Sequence, residues 1–194
     1  MVMSAIAVWL TTRRSIWNYP FSFASVALYA HIFFRVKLYA DMGLQFVFAV
    51  ALAYGLRQWT AYRASDGAVH VSHATRRELW SGVAAGIIGA VVLGWFTSAR
   101  TDAALPWLDA TLTAGSLVAS WWAARRRIEN WWLWIAVDVV YVGVYAAKGL
   151  ELTAGLYGAF VVLASLGLIH WQRAYRADAA QIAAAHRDPA SVST

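Results

Sequence analysis

The sequence predicts an all-α integral membrane protein with seven transmembrane helices in a 3+1+3 arrangement of parallel repeats. The first observation behind this is composition. Of 194 residues, 61% are hydrophobic, only 13% are charged and 12 are tryptophan, which excludes an ordinary soluble domain. The second is spacing: nearly charge-free stretches recur at 15–34, 42–56, 79–99, 110–124, 131–147 and 152–172. Several approach the ~20 residues that cross ~30 Å of hydrocarbon. A helix suits such a stretch because it satisfies its own backbone groups in lipid. The third observation is self-similarity of the two ends of the chain.

Taken in order, the segments run over about 1–12, 16–35, 38–58, 79–98, 105–124, 130–147 and 151–171. Helix 1 is short: twelve residues rise about 18 Å, so either the native start lies upstream of Met1 or this is a shortened span. Helices 3 and 4 are separated by a long polar loop with YRASDGAVHVSHATRRE at its core, and helix 4 carries Gly82 and Gly86 in a GxxxG spacing that suits a packing seam. Residues 172–194 read as a polar tail. The basic residues then sort by side. The 1–2, 3–4 and 5–6 loops and the tail hold twelve of the sixteen, against Arg35, Lys37, Arg100 and Lys148 on the other side. The positive-inside rule therefore predicts a cytoplasmic C-terminus and an external N-terminus. Because the arginines mark segment ends, the net charge of +6 is a topology signal and not a nucleic-acid surface.

Sliding the chain by 112 residues aligns 5–59 with 117–171 without a gap, and 16 of the 55 pairs are identical, where chance gives about four. Matched pairs include Trp9/Trp121, Arg13-Arg14/Arg125-Arg126, Asn18/Asn130, Tyr29/Tyr141, Gly55/Gly167 and Trp59/Trp171. The arginines fall on one side in both copies, so the repeats are parallel, and a fourth helix must restore orientation between them. The expected units are 1–59, a loop and inverting helix at 60–99, 105–171 and a tail at 172–194. This is the arrangement of SWEET-type sugar transporters.

Helix 6, ENWWLWIAVDVVYVGVYAAKGL, places a carboxylate near the middle of an apolar span. At 100° per residue, Trp131, Trp134, Asp138, Tyr141 and Tyr145 fall within about 80° of one another. An ionisable group at that depth costs at least ~2.5–3.5 kcal/mol, so Asp138 should face the bundle interior or a wet cavity. Aromatic faces around one carboxylate suit a planar cation through stacking and cation–π attraction. The alternative is that Asp138 bonds a neighbouring helix. The aromatic stripe recurs on helix 2 as Tyr19, Tyr29 and Phe33, without the acid.

Gln45 is a polar side chain in an apolar span, able to read an amide or to tie helices together. Asn18 and Asn130 stand at helix starts, where N-capping is the ordinary role. Trp17, Trp59 and Trp171 lie near segment ends, where an interfacial aromatic belt accounts for most tryptophans. His31 and His170 are lone histidines, and His70 with His73 makes only a pair, so no metal site is expected. The chain has no Cys, and no P-loop, HExxH, GxSxG or dinucleotide fingerprint. No cofactor and no catalytic residue are expected.

With IWNYP at 16–20, KLYADMGLQ at 37–45, YGLRQW at 54–59, ENWWLWIAVD at 129–138 and KGLELTAGLY at 148–157, the chain resembles the Pnu family of bacterial vitamin transporters. Leu56 stands where that family commonly has an aromatic. The resemblance implies a trimeric facilitator in the bacterial inner membrane that carries nicotinamide riboside downhill, while a cytoplasmic kinase traps the product. Thiamine and riboflavin are the alternative substrates. It further implies that Trp131 and Trp134 stack on the pyridinium ring and that Asn130 and Gln45 bond the carboxamide or ribose, with Asp138, Tyr141, Tyr145 and Tyr29 completing the site. Nicotinamide riboside, a planar cation without phosphate, also suits the helix-6 stripe.

Overall fold

The computed structural model describes residues 2–35, 37, 39–61, 69–100 and 105–187. Residues 62–68 of the polar loop and the tail beyond Arg187 lie outside them. The described residues form seven helices: α1 Val2–Thr12, α2 Asn18–Arg35, α3 Tyr39–Ala61, α4 Arg76–Arg100, α5 Pro106–Ala124, α6 Asn130–Ala147 and α7 Glu151–Arg187. Helices α4 and α6 and the Glu151–Gln181 part of α7 are long and apolar enough to cross a membrane. The chain is a multi-pass helical membrane protein. Consistent with this, α4 turns Trp80, Ile87, Ile88, Val91, Val92 and Trp95 outward, an apolar surface that water would not tolerate but lipid accepts.

Contacts among the helices close a ring in the order α1, α2, α3, α5, α6, α7 and back to α1. Helix α4 stands outside it, against α5. That seam is made by glycine: an added Cβ at Gly82 would meet the Trp122 ring and one at Gly89 the Ala114 methyl, and at Gly86 the nearest atom is a Val118 methyl. The small residues of α4 thus let bulky α5 side chains approach its backbone. Glu78 starts α4 with a capping box, accepting from the Thr75 N–H while its own N–H donates to the Thr75 hydroxyl.

Positions 112 residues apart behave alike. Arg14 and Arg126 both adopt a left-handed backbone, φ 56° and 60°, and Lys37 matches Gly149 at φ 61° and 70°. A side chain in that conformation costs about 1–2 kcal/mol, offset here by turn hydrogen bonds. Arg14 N–H donates to Thr11 O and Ser15 N–H to Leu10 O, just as Arg126 N–H donates to Ala123 O and Arg127 N–H to Trp122 O. The guanidinium of Arg13 lies 4.7 Å over the Trp9 ring, and that of Arg125 lies 4.8 Å over Trp121. These turns reverse the chain between α1 and α2 and between α5 and α6 in the same way.

Two expectations are corrected. Helix α7 does not stop near 171 but continues to Arg187, because the sequence after Gly167 is rich in Ala and holds no Gly or Pro before Pro189. Trp59 and Trp171 are not interfacial. Both are fully buried, in a cluster with Tyr19, Ile128 and Trp131.

Glycine also sets how closely this cluster packs. An added Cβ at Gly167 would lie 2.6 Å from the Trp131 ring, and one at Gly55 2.7 Å from the Tyr19 hydroxyl, whereas Gly143 has nothing within 4 Å. Gly167→Val is expected to destabilise by about 1–3 kcal/mol, and Gly143→Ala to be neutral or slightly stabilising. Thermal unfolding of the two variants in detergent checks the contrast.

Candidate functional site

Trp59 and Trp131 form the floor of the site, and Trp171 packs behind them. Trp171 meets Trp131 edge to face at 5.4 Å between centroids and Trp59 at 6.0 Å, and Tyr19 adds a second edge contact to Trp59 at 5.6 Å. The indole N–H groups reach across the ring: Trp59 donates to Ala123 O at 3.1 Å and Trp171 to Thr11 O at 3.1 Å. Donor and acceptor positions are again 112 residues apart in the two bonds.

Beneath this floor, at the arginine-rich end, residues 69–75 lie across the bundle. Val69 and Val71 insert into the tryptophan cluster. Ser72 exchanges backbone hydrogen bonds with Arg126 and Ile128, each 3.1 Å. Arg14 donates to Val69 O, His73 pairs with Glu129 at 2.8 Å, and His70 pairs with Asp178 at 2.8 Å. Glu78 accepts from Arg125 and Arg127, and Arg127 also donates to the Ser72 hydroxyl. Each of the two histidines is thus partnered by a carboxylate, and no group of three metal-ligating side chains occurs among the described residues.

Above the floor and inside the ring lies a cavity of about 480 Å³, within the range of small-molecule sites. All six ring helices contribute to it. Trp131, Trp134, Asn130 and Asp138 line it from α6, so the carboxylate expected in helix 6 faces the bundle interior. Among the described residues, Asp138 is the only charged side chain of the lining. The opposite wall is polar without charge, with Asn18, Ser22 and Ser25 on α2 and Thr11 on α1.

The other four residues expected at a site lie outside the lining. Gln45 is buried on α3, and Tyr29 stacks on Phe33 at 6.1 Å. Tyr141 and Tyr145 stack on each other at 5.8 Å and on Tyr157 at 4.7 and 5.3 Å, and Tyr157 carries that group to the cavity. Tyr157 was not expected from the helix-6 stripe, although it is the repeat counterpart of Gln45, a register that could have drawn attention to it. Neither asparagine caps its helix. Asn130 is already inside α6, whose N-cap is Glu129 without a side-chain cap bond, and Asn18 directs its amide to Thr11.

The profile of the nicotinamide mononucleotide transporter family matches residues 1–173. The chain belongs to that family. It is 31% identical over 180 residues to the riboflavin/roseoflavin transporter RibM of Streptomyces davaonensis, covering 91% of this chain and 84% of that protein. It is 30% identical to the nicotinamide riboside transporter PnuC of Neisseria mucosa over 75% of this chain and 57% of that one. With the Escherichia coli nicotinamide riboside transporter PnuC it shares 25% identity over 76% of its length and 72% of the relative's. The crystal structure of the vitamin B3 transporter PnuC superposes with a TM-score of 0.70 at 26% identity, covering 90% of this chain and 79% of that one. The relatives are transporters, and the fold shared with that structure positions the cavity at the centre of the ring.

Trp171 holds the cavity floor and carries one of the two cross-ring bonds, so Trp171→Ala is expected to destabilise by about 3–5 kcal/mol. Trp17, 66% exposed, is expected to tolerate Ala within about 0.5 kcal/mol. Unfolding monitored by intrinsic fluorescence distinguishes the two.

Proposed function

We propose that this chain is a membrane facilitator for the uptake of nicotinamide riboside. The observation that carries this reading is a central cavity with Trp131 and Trp134 in its lining and Asp138 as its only charged group. Two indole faces suit a pyridinium ring, at about 0.5–2 kcal/mol for each good cation–π contact, and a lone carboxylate favours a cation further. The lining holds no Lys, Arg or His, so nothing in it neutralises a phosphate. That speaks for the riboside over the mononucleotide after which the family is named. Asn130 bonds the carboxamide or ribose in this reading, while Gln45, Tyr29, Tyr141 and Tyr145, outside the lining, belong to the path that leads there.

The same proposal includes seven spans in 3+1+3 parallel repeats, divided as 1–59, 60–99, 105–171 and 172–194, in the SWEET manner. Its support is the paired φ values, the paired turn bonds and a helix ring in which α1, α2 and α3 take the places of α5, α6 and α7. An external N-terminus, a cytoplasmic C-terminus, the bacterial inner membrane, a homotrimer and trapping by a cytoplasmic kinase complete it. They rest on the arginine asymmetry and on the family resemblance.

A second reading, riboflavin, is favoured by the Streptomyces relative and by a cavity of about 480 Å³, roomy for the smaller riboside. Calorimetry on the purified protein with nicotinamide riboside, riboflavin, thiamine and nicotinamide mononucleotide separates them. The riboside is expected to bind with a Kd of about micromolar or tighter and the mononucleotide at least about tenfold more weakly. Tight binding of riboflavin alone would transfer the proposal to the flavin. Asp138→Asn is expected to weaken riboside binding about tenfold and to leave a neutral flavin unaffected.

A further inference from the structure

An asparagine amide has an accepting end and a donating end, and its partners decide which end faces the cavity. Asn18 Nδ2 lies 2.8 Å from Thr11 Oγ1, whose single proton is given to Ala7 O at 2.9 Å. Thr11 can therefore only accept, and Asn18 must turn its NH2 towards it. Asn130 Nδ2 donates to the backbone carbonyl of Arg127, an obligate acceptor. Both side chains are thus fixed with their carbonyl oxygens free. Neither Asn18 Oδ1 nor Asn130 Oδ1 has a hydrogen-bond partner, although the residues are only 7% and 0% exposed and both line the cavity. A buried acceptor left unpaired is costly, so these oxygens await a donor from whatever occupies the cavity.

Their placement narrows the donor. Asn18 opens α2 and Asn130 opens α6, three places apart in a ring of six helices, so the acceptors approach the cavity from opposite walls. Trp131 Nε1 and Ser25 Oγ in the same lining are also unpartnered. Among the fully buried atoms of the described lining, the unpartnered ones are therefore two acceptors, one N–H donor and one hydroxyl. Hydroxyl groups both donate and accept, and several on one flexible or furanose unit can meet both walls at once. A flat ring with a single polar edge cannot.

Resting on the transport reading above, we infer that Asn18 and Asn130 form a paired acceptor site for the hydroxyls of the substrate's sugar or sugar-alcohol part, with Asn18 a specificity-determining residue. Thr11 is a positioning residue that fixes the Asn18 amide. The two walls then divide the work: the indoles hold the ring, and the asparagines select for the polyol.

The test compares each vitamin with its methyl analogue on the full chain: nicotinamide riboside against 1-methylnicotinamide, and riboflavin against lumiflavin. In the unmodified protein, loss of the sugar from the bound vitamin is expected to weaken binding at least about tenfold. In Asn18→Leu that factor should fall to about threefold or less, with affinity for the methyl analogue unchanged, which also shows that the variant is folded. Thr11→Val, which keeps Asn18 but removes the acceptor that orients it, should reduce the factor in the same direction and supplies the test should Asn18→Leu not fold. An equal loss for both members of a pair would make Asn18 structural and overturn the inference, as would a sugar whose removal costs the unmodified protein nothing. If neither vitamin binds the unmodified protein, the transport reading itself fails, and the inference with it.

Discussion

Two indole hydrogen bonds hold this protein's halves in register. Trp59 at the end of α3 donates to the carbonyl of Ala123 in α5, and Trp171 of α7 donates to that of Thr11 in α1. Both carbonyls belong to the last turns of their helices, where each also accepts the N–H of the following turn, from Arg14 and Arg126. An indole is well suited to that task in a dry interior: it fills volume and carries a single donor that must find a partner. Because the bonds run from each half to the other, the six-helix ring closes, and the space inside it becomes a cavity instead of a groove.

The rest of the site follows from that closure. Trp171 packs edge to face on Trp131 and tilted against Trp59 beneath the cavity, and Gly55 and Gly167 give the helices room to approach Tyr19 and Trp131. The segment from Val69 to Thr75 then seals the arginine-rich end, its valines in the tryptophan cluster and its polar groups tied to the α5–α6 turn. The left-handed backbone at Arg14 and Arg126 is part of the same construction, since each tight turn delivers an asparagine to the cavity wall a few residues later. The cavity is thereby closed below by apolar packing.

The division of labour within the lining has a physical logic. A permeating molecule must bind well enough to enter and weakly enough to leave, and an all-polar site would hold water as firmly as substrate. On the proposed reading, indole faces contribute attraction with little directional demand, while a few fixed oxygens provide selectivity through the cost of leaving them unpaired. One carboxylate, with no neighbouring cation, biases the site towards positive or neutral molecules.

The sequence by itself determined the helices, the repeat and the stripe on α6. Apolar runs in lipid must satisfy their own backbone, so the helices were legible from length, although the Ala-rich continuation of α7 to Arg187 shows that polarity alone does not end a helix. The burial of Asp138 was legible too, because a charge in an apolar span has few places to go. Only the tertiary structure decided that Trp59 and Trp171 are a core and not a belt, that Tyr157 lines the cavity while Tyr141 and Tyr145 stack behind it, and that Asn18 and Asn130 line the cavity instead of capping helices. Local periodicity assigns a side chain to a face of its own helix, but it does not say which other helix that face meets. The partners that settle these roles stand 64 and 160 residues apart in the chain for the two indole bonds, and that separation lies beyond what any local pattern encodes.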